Sequence, residues 1–281
     1  MNIKILSDST CDLPKELVEK YDIGILPLTV IKDEQEFYDA VTITPAEIFD
    51  HVAKGGSLCT TAARNIDGYA KEYARYADQY DGVICITIGS GFSSCFQNAA
   101  LAAEDYPNVR TIDSMSLSTG QGMVVLKAAE LAQTCADLDA LKEEVDAFAK
   151  RVEISFVLDR LDYMVKGGRC SSATALGANL LHLRPCIEVK DGKMMVVKKY
   201  RGSYEKCLVN YIKDRLENRD DIDYQRLFIT YTVVDDTCFH AAKDAISKYA
   251  TFQESHEVVA GCTVSCHCGP GTLGIIFVRS K

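Results

Sequence analysis

The sequence predicts an α/β fold in two parts: a mainly parallel sheet with helices on both faces, followed by a smaller mixed α/β domain. Three observations lead there. Apolar runs at 2–7, 23–30, 83–88 and 108–112 read as short strands, with helical patterns between them at 14–21, 45–54, 67–79 and 92–104. Regular βα alternation of this kind makes parallel strands covered on both faces. Beyond residue 152 the texture changes, because Cys186–Val189 and Met194–Val197 flank Asp191-Gly192, a hairpin signal that brings in antiparallel pairing. Finally, 281 residues with 47% hydrophobic content suffice for two ordinary domains. The division expected is 1–152 and 153–281, with a cleft at their join.

Each element has a local reason. Asp12 ahead of Pro14 reads as the start of the first helix. Thr44-Pro45-Ala46-Glu47 combines a capping threonine, a first-turn proline and a glutamate three residues on, the capping-box arrangement. Thr60-Thr61 either caps the helix beginning near Asp67 or sits on a strand. Leu117 to Lys150 is helical, broken into two near Cys135-Ala136-Asp137. Ile154–Leu158 opens the second part as a strand, followed by the tight turn Lys166-Gly167-Gly168-Arg169. The small apolar helix expected at 173–181 is either core or the wall of a long slot. Strands at 226–232 and 272–278 then alternate with helices at 203–217 and 236–249.

Composition narrows the function classes. A net charge of -9 with no local run of lysine and arginine argues against nucleic-acid binding. The chain goes straight into its first strand, 2–7, without a signal-like segment, and no apolar stretch approaches the roughly 18 residues of a membrane helix. A cytoplasmic protein with reduced thiols is expected, so the twelve cysteines read as small buried hydrophobes. The dense group is Cys262, Cys266 and Cys268 around His267, and Cys-x3-Cys fits zinc spacing. An extended segment over 266–268 would point His267 away from both neighbouring cysteines, which argues against a metal.

The chemistry-bearing signal is a set of hydroxyl clusters at strand ends: Ser7-Asp8-Ser9-Thr10, Thr60-Thr61, Ser90-Gly91-Phe92-Ser93, and Asp113-Ser114 with Ser116, Ser118 and Thr119. Ligands of open α/β sheets bind outside the carboxyl ends of strands, so these hydroxyls would converge on one polar group. With no histidine nearby in sequence to activate them, they read as anion holders. Gly89 to Ser93 fits an anion at a helix amino terminus, or an ordinary βα turn with a capping serine. Arg169 offers a permanent guanidinium fork for a carboxylate or phosphate, or is a solvated surface residue. His267, at the Gly269-Pro270-Gly271 corner, is a structural histidine or an N–H donor to an anion. A serine hydrolase would use Ser93 or Ser90 with His267 as base, but Gly89-Ser90-Gly91 lacks the spacing of a nucleophile elbow. Gly120-Gln121-Gly122 lacks the third glycine of a dinucleotide fingerprint.

Taken in order, Ser7 to Pro14, Ile25-Leu26-Pro27-Leu28, Thr61, Ile88 to Ser93, Ile112-Asp113-Ser114, Lys166 to Arg169, Tyr200-Arg201-Gly202 and His267 to Gly271 resemble the DegV family along nearly the whole chain. The resemblance implies a non-catalytic bacterial lipid-binding protein of two α/β domains, with an acyl chain such as palmitate in a buried tunnel and no cofactor. Some members are the fatty-acid-binding subunit of fatty acid kinase and hand the acid to a separate ATP-binding subunit. Transient contact with a membrane surface goes with that role. Carried over residue by residue, Thr61 and Ser93 match hydroxyls that hold the fatty carboxylate, and His267 matches a histidine beside it. Arg169 and Arg201 match arginines at the mouth of the site or on the kinase-facing surface, and Ser90 and Gly91 are further candidates for ligand or partner contact. The chain departs from the family at Ala62-Ala63-Arg64-Asn65 and at Ser94-Cys95-Phe96, so head-group contacts or chain preference are expected to differ.

Overall fold

The computed structural model describes residues 1–175 and 183–280. The first part runs β1 (Ile3–Asp8), α1 (Lys15–Lys20), β2 (Gly24–Leu26), β3 (Thr29–Lys32), β4 (Gln35–Tyr38), α2 (Pro45–Ala53), β5 (Thr60–Ala62), α3 (Ile66–Ala77), β6 (Gly82–Thr87), α4 (Cys95–Ala103), β7 (Val109–Asp113), α5 (Ser118–Ala132) and α6 (Leu138–Ala149). The second runs β8 (Val152–Leu158), α7 (Asp162–Gly167), α8 (Ser171–Thr174), β9 (Leu183–Lys190), β10 (Lys193–Arg201), α9 (Tyr204–Leu216), β11 (Ile222–Tyr231), α10 (Asp236–Tyr249), β12 (Glu254–Val259), α11 (Cys262–Cys268) and β13 (Thr272–Arg279). Most of the small-residue helix expected at 173–181 lies outside the described residues. Among the described residues no helix is long and apolar enough to cross a membrane.

The α/β reading holds. Strands β2-β1-β6-β7 form a wholly parallel sheet, and a six-stranded mixed sheet has the order β10-β9-β8-β13-β11-β12. In the mixed sheet only the β11–β12 pair is parallel. Asp191 and Gly192, with φ of 49° and 70°, turn the β9–β10 hairpin as the Asp-Gly signal requires. The Thr44 capping box forms in both directions, Glu47 accepting from the Thr44 amide at 2.8 Å.

Three local expectations fail for identifiable reasons. The strand expected at 23–30 is cut at Pro27, which has no N–H for a ladder. The chain therefore leaves the parallel sheet after Leu26 and restarts as β3 in a separate antiparallel sheet, β4-β3-β5. Asp12 does not cap α1: it takes a left-handed conformation (φ 48°) after a 3-10 turn at Ser9–Cys11, and Pro14 stands at the cap without a side-chain bond. Residues 262–268 are helical, not extended, so the argument that strand alternation turns His267 from its neighbours does not apply. On this helix Cys262 and Cys266 lie about one turn apart on one side, and His267 is rotated away by about 100°.

Helix α5 positions the site. It is buried on nearly every side because it lies between the parallel sheet and the face of the mixed sheet. Gly120 and Gly122 make that possible. A Cβ on Gly120 would lie 2.2 Å from Ile154, and one on Gly122 would lie 2.7 Å from the Cys11 carbonyl oxygen. The glycine pair dismissed as a nucleotide motif is thus a packing device. One buried cluster passes from Ile5, Leu6 and Ile84 through Val124 to Ile154, Phe156 and Ile276, spanning both parts of the chain.

Candidate functional site

A cavity of about 190 Å³ opens where β5, the loop after β6, the start of α5, the segment after α7 and α11 meet. Leu28, Ile88, Phe92, Leu117, Met194 and Val264 supply apolar walls, while Thr61, Ser93, Arg169 and His267 bring polar groups. Thr61 reaches it because β5 pairs with β3, placing Thr61 opposite Val30. Its hydroxyl bonds the His267 Nε2 at 2.9 Å, joining two segments 206 residues apart in sequence. The other ring nitrogen, Nδ1, is buried without a partner among the described residues. Burial, with the Arg169 charge adding to it, lowers the His267 pKa to about 4. The imidazole is therefore neutral near pH 7 and keeps one N–H donor.

Arg169 follows the left-handed Gly168 (φ 68°) that ends α7, and its guanidinium is held by the carbonyl oxygens of Gly167 at 2.7 Å and Phe92 at 3.5 Å. No carboxylate of the described residues pairs with it, so a cation stands at the cavity mouth uncompensated. Ser93 lies just ahead of α4, its Oγ accepting from the Cys95 amide at 3.3 Å. A narrower cavity of about 30 Å³ shares Leu117, Val264 and Cys268 with the first and continues between α5, α11 and the mixed sheet. Hydroxyl residues line it, yet Thr232 donates to Gly269 at 2.8 Å, Thr272 to Cys268 at 3.0 Å, and Ser155 pairs with Tyr211 at 2.9 Å. With those hydroxyls engaged, the continuation presents chiefly carbon.

The four hydroxyl clusters do not converge, contrary to expectation. Thr61 and Ser93 reach the cavity; most of the others bond protein groups. Gln121 bridges Ser7, Asp8 and Thr10; Ser9 donates to Asp39; Ser118 donates to Asp12. Ser90 is exposed and bonds Asp113 through both its amide and its hydroxyl, outside the cavity. Gly91 meets the β9–β10 turn, where a Cβ would lie 2.1 Å from the Gly192 carbonyl oxygen, so its role is close approach of backbone. Arg201 is exposed at the end of β10, away from the cavity walls.

Two carboxylates hold α11 in a way that local sequence did not show. Asp39 accepts from the amides of Cys262 at 2.8 Å and Thr263 at 3.1 Å, and from the Thr263 hydroxyl at 2.6 Å. Asp12 accepts from the Gly261 amide at 3.0 Å, and burial raises its pKa well above the ordinary value. Together they satisfy the amino terminus of α11 and orient the helix that carries His267. Partners more than 220 residues away cannot be read from local sequence. Among the described residues no group of three or more His, Cys, Asp or Glu side chains is placed to hold a metal ion, and all twelve cysteines are free thiols.

Fold and cavity together describe an α/β protein with a cleft that is polar at one end and apolar beyond it. The model described as "Uncharacterised protein, DegV family" matches residues 2–280, and the chain belongs to that family. The fatty acid-binding protein of Thermotoga maritima is 29% identical over 98% of this chain and 96% of its own length. The fatty-acid-binding DegV protein of Thermus thermophilus superposes with a TM-score of 0.89 at 28% identity, covering 99% of this chain and all of that one. A stearic acid-binding protein of Eubacterium ventriosum gives 0.84 at 27% identity, covering 99% and 98%.

Proposed function

We propose that the protein binds one long-chain fatty acid, its carboxylate held by Thr61, Ser93 and His267 under the charge of Arg169. The observation that carries the reading is the segregation within the cavity: donors gather at one end, and the walls beyond are carbon. An acyl chain of about 14 methylenes offers on the order of 11 kcal/mol of gross burial, against association costs of about 4–15 kcal/mol. The tail supplies most of the affinity. The carboxylate must still keep hydrogen bonds as it leaves water, which gives the hydroxyls a task without bond-breaking chemistry. The similar proteins named above as fatty-acid-binding point the same way.

The tail then runs past Leu117 and Val264 into the narrow continuation between α5 and the mixed sheet, at the join of units 1–152 and 153–281. The proposal extends to a cytoplasmic carrier, loaded with an acid such as palmitate in brief contact with a membrane and presenting the carboxylate to a fatty acid kinase ATP-binding subunit. Arg169 and Arg201, both exposed, are the groups offered to that partner. Acyl phosphate formed from ATP only when both proteins are present tests this extension. A serine hydrolase finds no supporting contact among the described residues: His267 Nε2 is engaged by Thr61, Nδ1 has no orienting carboxylate there, and a pKa near 4 suits a general base poorly at neutral pH.

The direct test combines native mass spectrometry with a double variant. The wild type should carry or take up one fatty acid per chain. Thr61→Val with Ser93→Ala removes two charge-assisted bonds of about 1.5–3 kcal/mol each and should weaken palmitate binding about 100-fold or more. Unchanged affinity in a folded double variant would remove these residues from the site.

A further inference from the structure

A second cleft, polar and of about 230 Å³, lies where the end of α6, the start of β8, the β9–β10 turn and the end of β13 come together, with Met115 of the loop after β7 at one side. Three cations from distant parts of the chain line it: Lys150, Lys190 and Arg279. Among the described residues none of the three forms an ion pair with a carboxylate. The two glutamates in the walls are already taken, Glu153 by Arg219 at 3.0 Å and Glu188 by Arg215 at 2.8 Å. Asp221, next to the strand partner of Arg279, is bound by Arg219 through both oxygens. Asp191, exposed on the turn, is the remaining wall acid, so the unpaired charge of the cleft is positive in a chain whose net charge is -9.

The cations are held in place without being neutralised. Arg279 donates from its side chain to the Lys150 carbonyl oxygen at 2.9 Å and from its amide to the Arg151 carbonyl oxygen at 2.8 Å. The end of β13 is thereby fixed against the end of α6, and the rest of the guanidinium fork stays unspent. Lys190 stands directly opposite Lys193 across the tight Asp191-Gly192 turn. Like charges so placed repel, and a bound anion relieves them. We propose that this cleft is a second binding site, one that takes a phosphate group, either free as inorganic phosphate or carried on a lipid headgroup. The donor set suits phosphate: the guanidinium offers paired N–H groups to two oxygens, while the ammonium groups of Lys150 and Lys190 act as point charges on the others. At about 30 Å³ for each water, the cleft has room for the anion and part of its hydration.

The cleft abuts the cavity of Thr61 and His267 but shares no wall residue with it among the described residues. The β9–β10 turn stands between them. Gly192 of the cleft meets Gly91 backbone to backbone, and Met194, two residues past the turn, lines the cavity. The phosphate site stands on its own cations and does not rest on the fatty-acid reading.

The test titrates sodium phosphate into the full-length protein at constant ionic strength, with sodium chloride as the reference, and follows backbone amide signals by NMR. Those of Met115, Lys190, Gly192 and Arg279 should move saturably in the millimolar range with phosphate and stay still with chloride. Lys190→Ala should weaken that binding about threefold, and Lys190→Ala with Arg279→Gln about tenfold, as partly screened charges do. Lys71→Ala, exposed on α3, should leave it unchanged. Should the double variant not fold, Lys150→Ala with Lys190→Ala, both at exposed positions, carries the same prediction. Vesicles decide the source of the phosphate. Co-sedimentation with phosphatidylcholine vesicles containing phosphatidylglycerol but not with phosphatidylcholine alone, lost in the double variant, assigns a lipid headgroup; phosphate binding without co-sedimentation assigns the free anion. Equal shifts with chloride, binding that survives both double variants, or silence toward phosphate and vesicles alike would overturn the site.

Discussion

Two hydroxyl-bearing regions lie close to the same α5 helix: the groups around Asp8 are buried among protein partners, and those around Thr61 line a cavity. At the end of β1, Asp8 accepts from the amides of Thr10 at 3.1 Å and Ile88 at 2.8 Å and from Gln121 at 2.9 Å, while Thr10 donates to Gln121 at 2.7 Å. In the cavity, by contrast, Thr61 makes one bond to His267, and among the described residues the second imidazole nitrogen has no partner and Arg169 has no carboxylate. The first region is polar and closed; the second is polar and incomplete. A ligand site is marked by bonding capacity left over, not by the density of polar residues.

The largest effect should come from opening the closed region. Thr10 carries one hydroxyl proton yet contacts two acceptors, Asp8 and Gln121, so both contacts are bonds only when Asp8 holds a proton to donate. Burial raises the Asp8 pKa in agreement with this, against the opposing bonds from Thr10, Gln121 and Ile88. Asp8→Ala strands several buried groups at about 1–3 kcal/mol each and should lower unfolding free energy by about 4 kcal/mol. Asp8→Asn keeps one acceptor oxygen and so leaves unmet either the Ile88 amide or the Thr10 amide and Gln121, and it should lose about 1–3 kcal/mol, less than Asp8→Ala. Fatty-acid affinity of the folded fraction should stay at the wild-type value in both. Urea melts paired with binding isotherms decide it, and reduced affinity at unaltered stability would erase the distinction between the regions.

His267 gives the next effect, on the acid side. Its folded pKa is depressed from 6.5 to about 4, so the unfolded chain binds the proton more readily in that window. Its contribution is therefore fully present above pH 6.5 and is lost as pH falls toward 4. The difference corresponds to about 3 kcal/mol at 1.36 kcal/mol per pKa unit. His267→Gln should flatten the loss of stability between pH 6.5 and 4 relative to wild type, measured on ligand-free protein. A bound carboxylate favours the imidazolium, so the wild-type loss should also shrink in the complex. Identical acid limbs for variant and wild type would show that the ring is already solvated.

How much of this was legible in the sequence follows the same division. Elements with local causes were readable: the Thr44 capping box, the Asp191-Gly192 hairpin, and the α5–α6 break at Cys135-Ala136-Asp137. Ser93, Arg169 and His267 stood out by residue type and setting, Thr61 chiefly through a resemblance spread over the chain, and the fold brings all four to one cavity. What stayed hidden depends on partners far away. The helical state of 262–268 is fixed by Asp12 and Asp39, and the fate of the Ser7 to Thr10 hydroxyls depends on Gln121, over 100 residues on. A strand end rich in hydroxyls looks the same in sequence whether its bonds are closed internally or left for a ligand.

Arg169 sets the smallest effect and the finest test of incompleteness. Its side chain is exposed, so water and salt screen its attraction for a carboxylate, and exposed pairs are worth about 0.2–1 kcal/mol. Arg169→Gln should therefore weaken fatty-acid binding less than about tenfold at physiological salt. The loss should grow in dilute buffer and vanish near 1 M salt, where the screening length is about 3 Å. A neutral fatty alcohol of the same length should bind wild type and variant equally, because it offers no charge for the guanidinium. Equal loss for acid and alcohol would mean that Arg169 acts through its contacts with Gly167 and Phe92. The cavity mouth would then be held open by packing, and the uncompensated charge would have no part in recognising the head group.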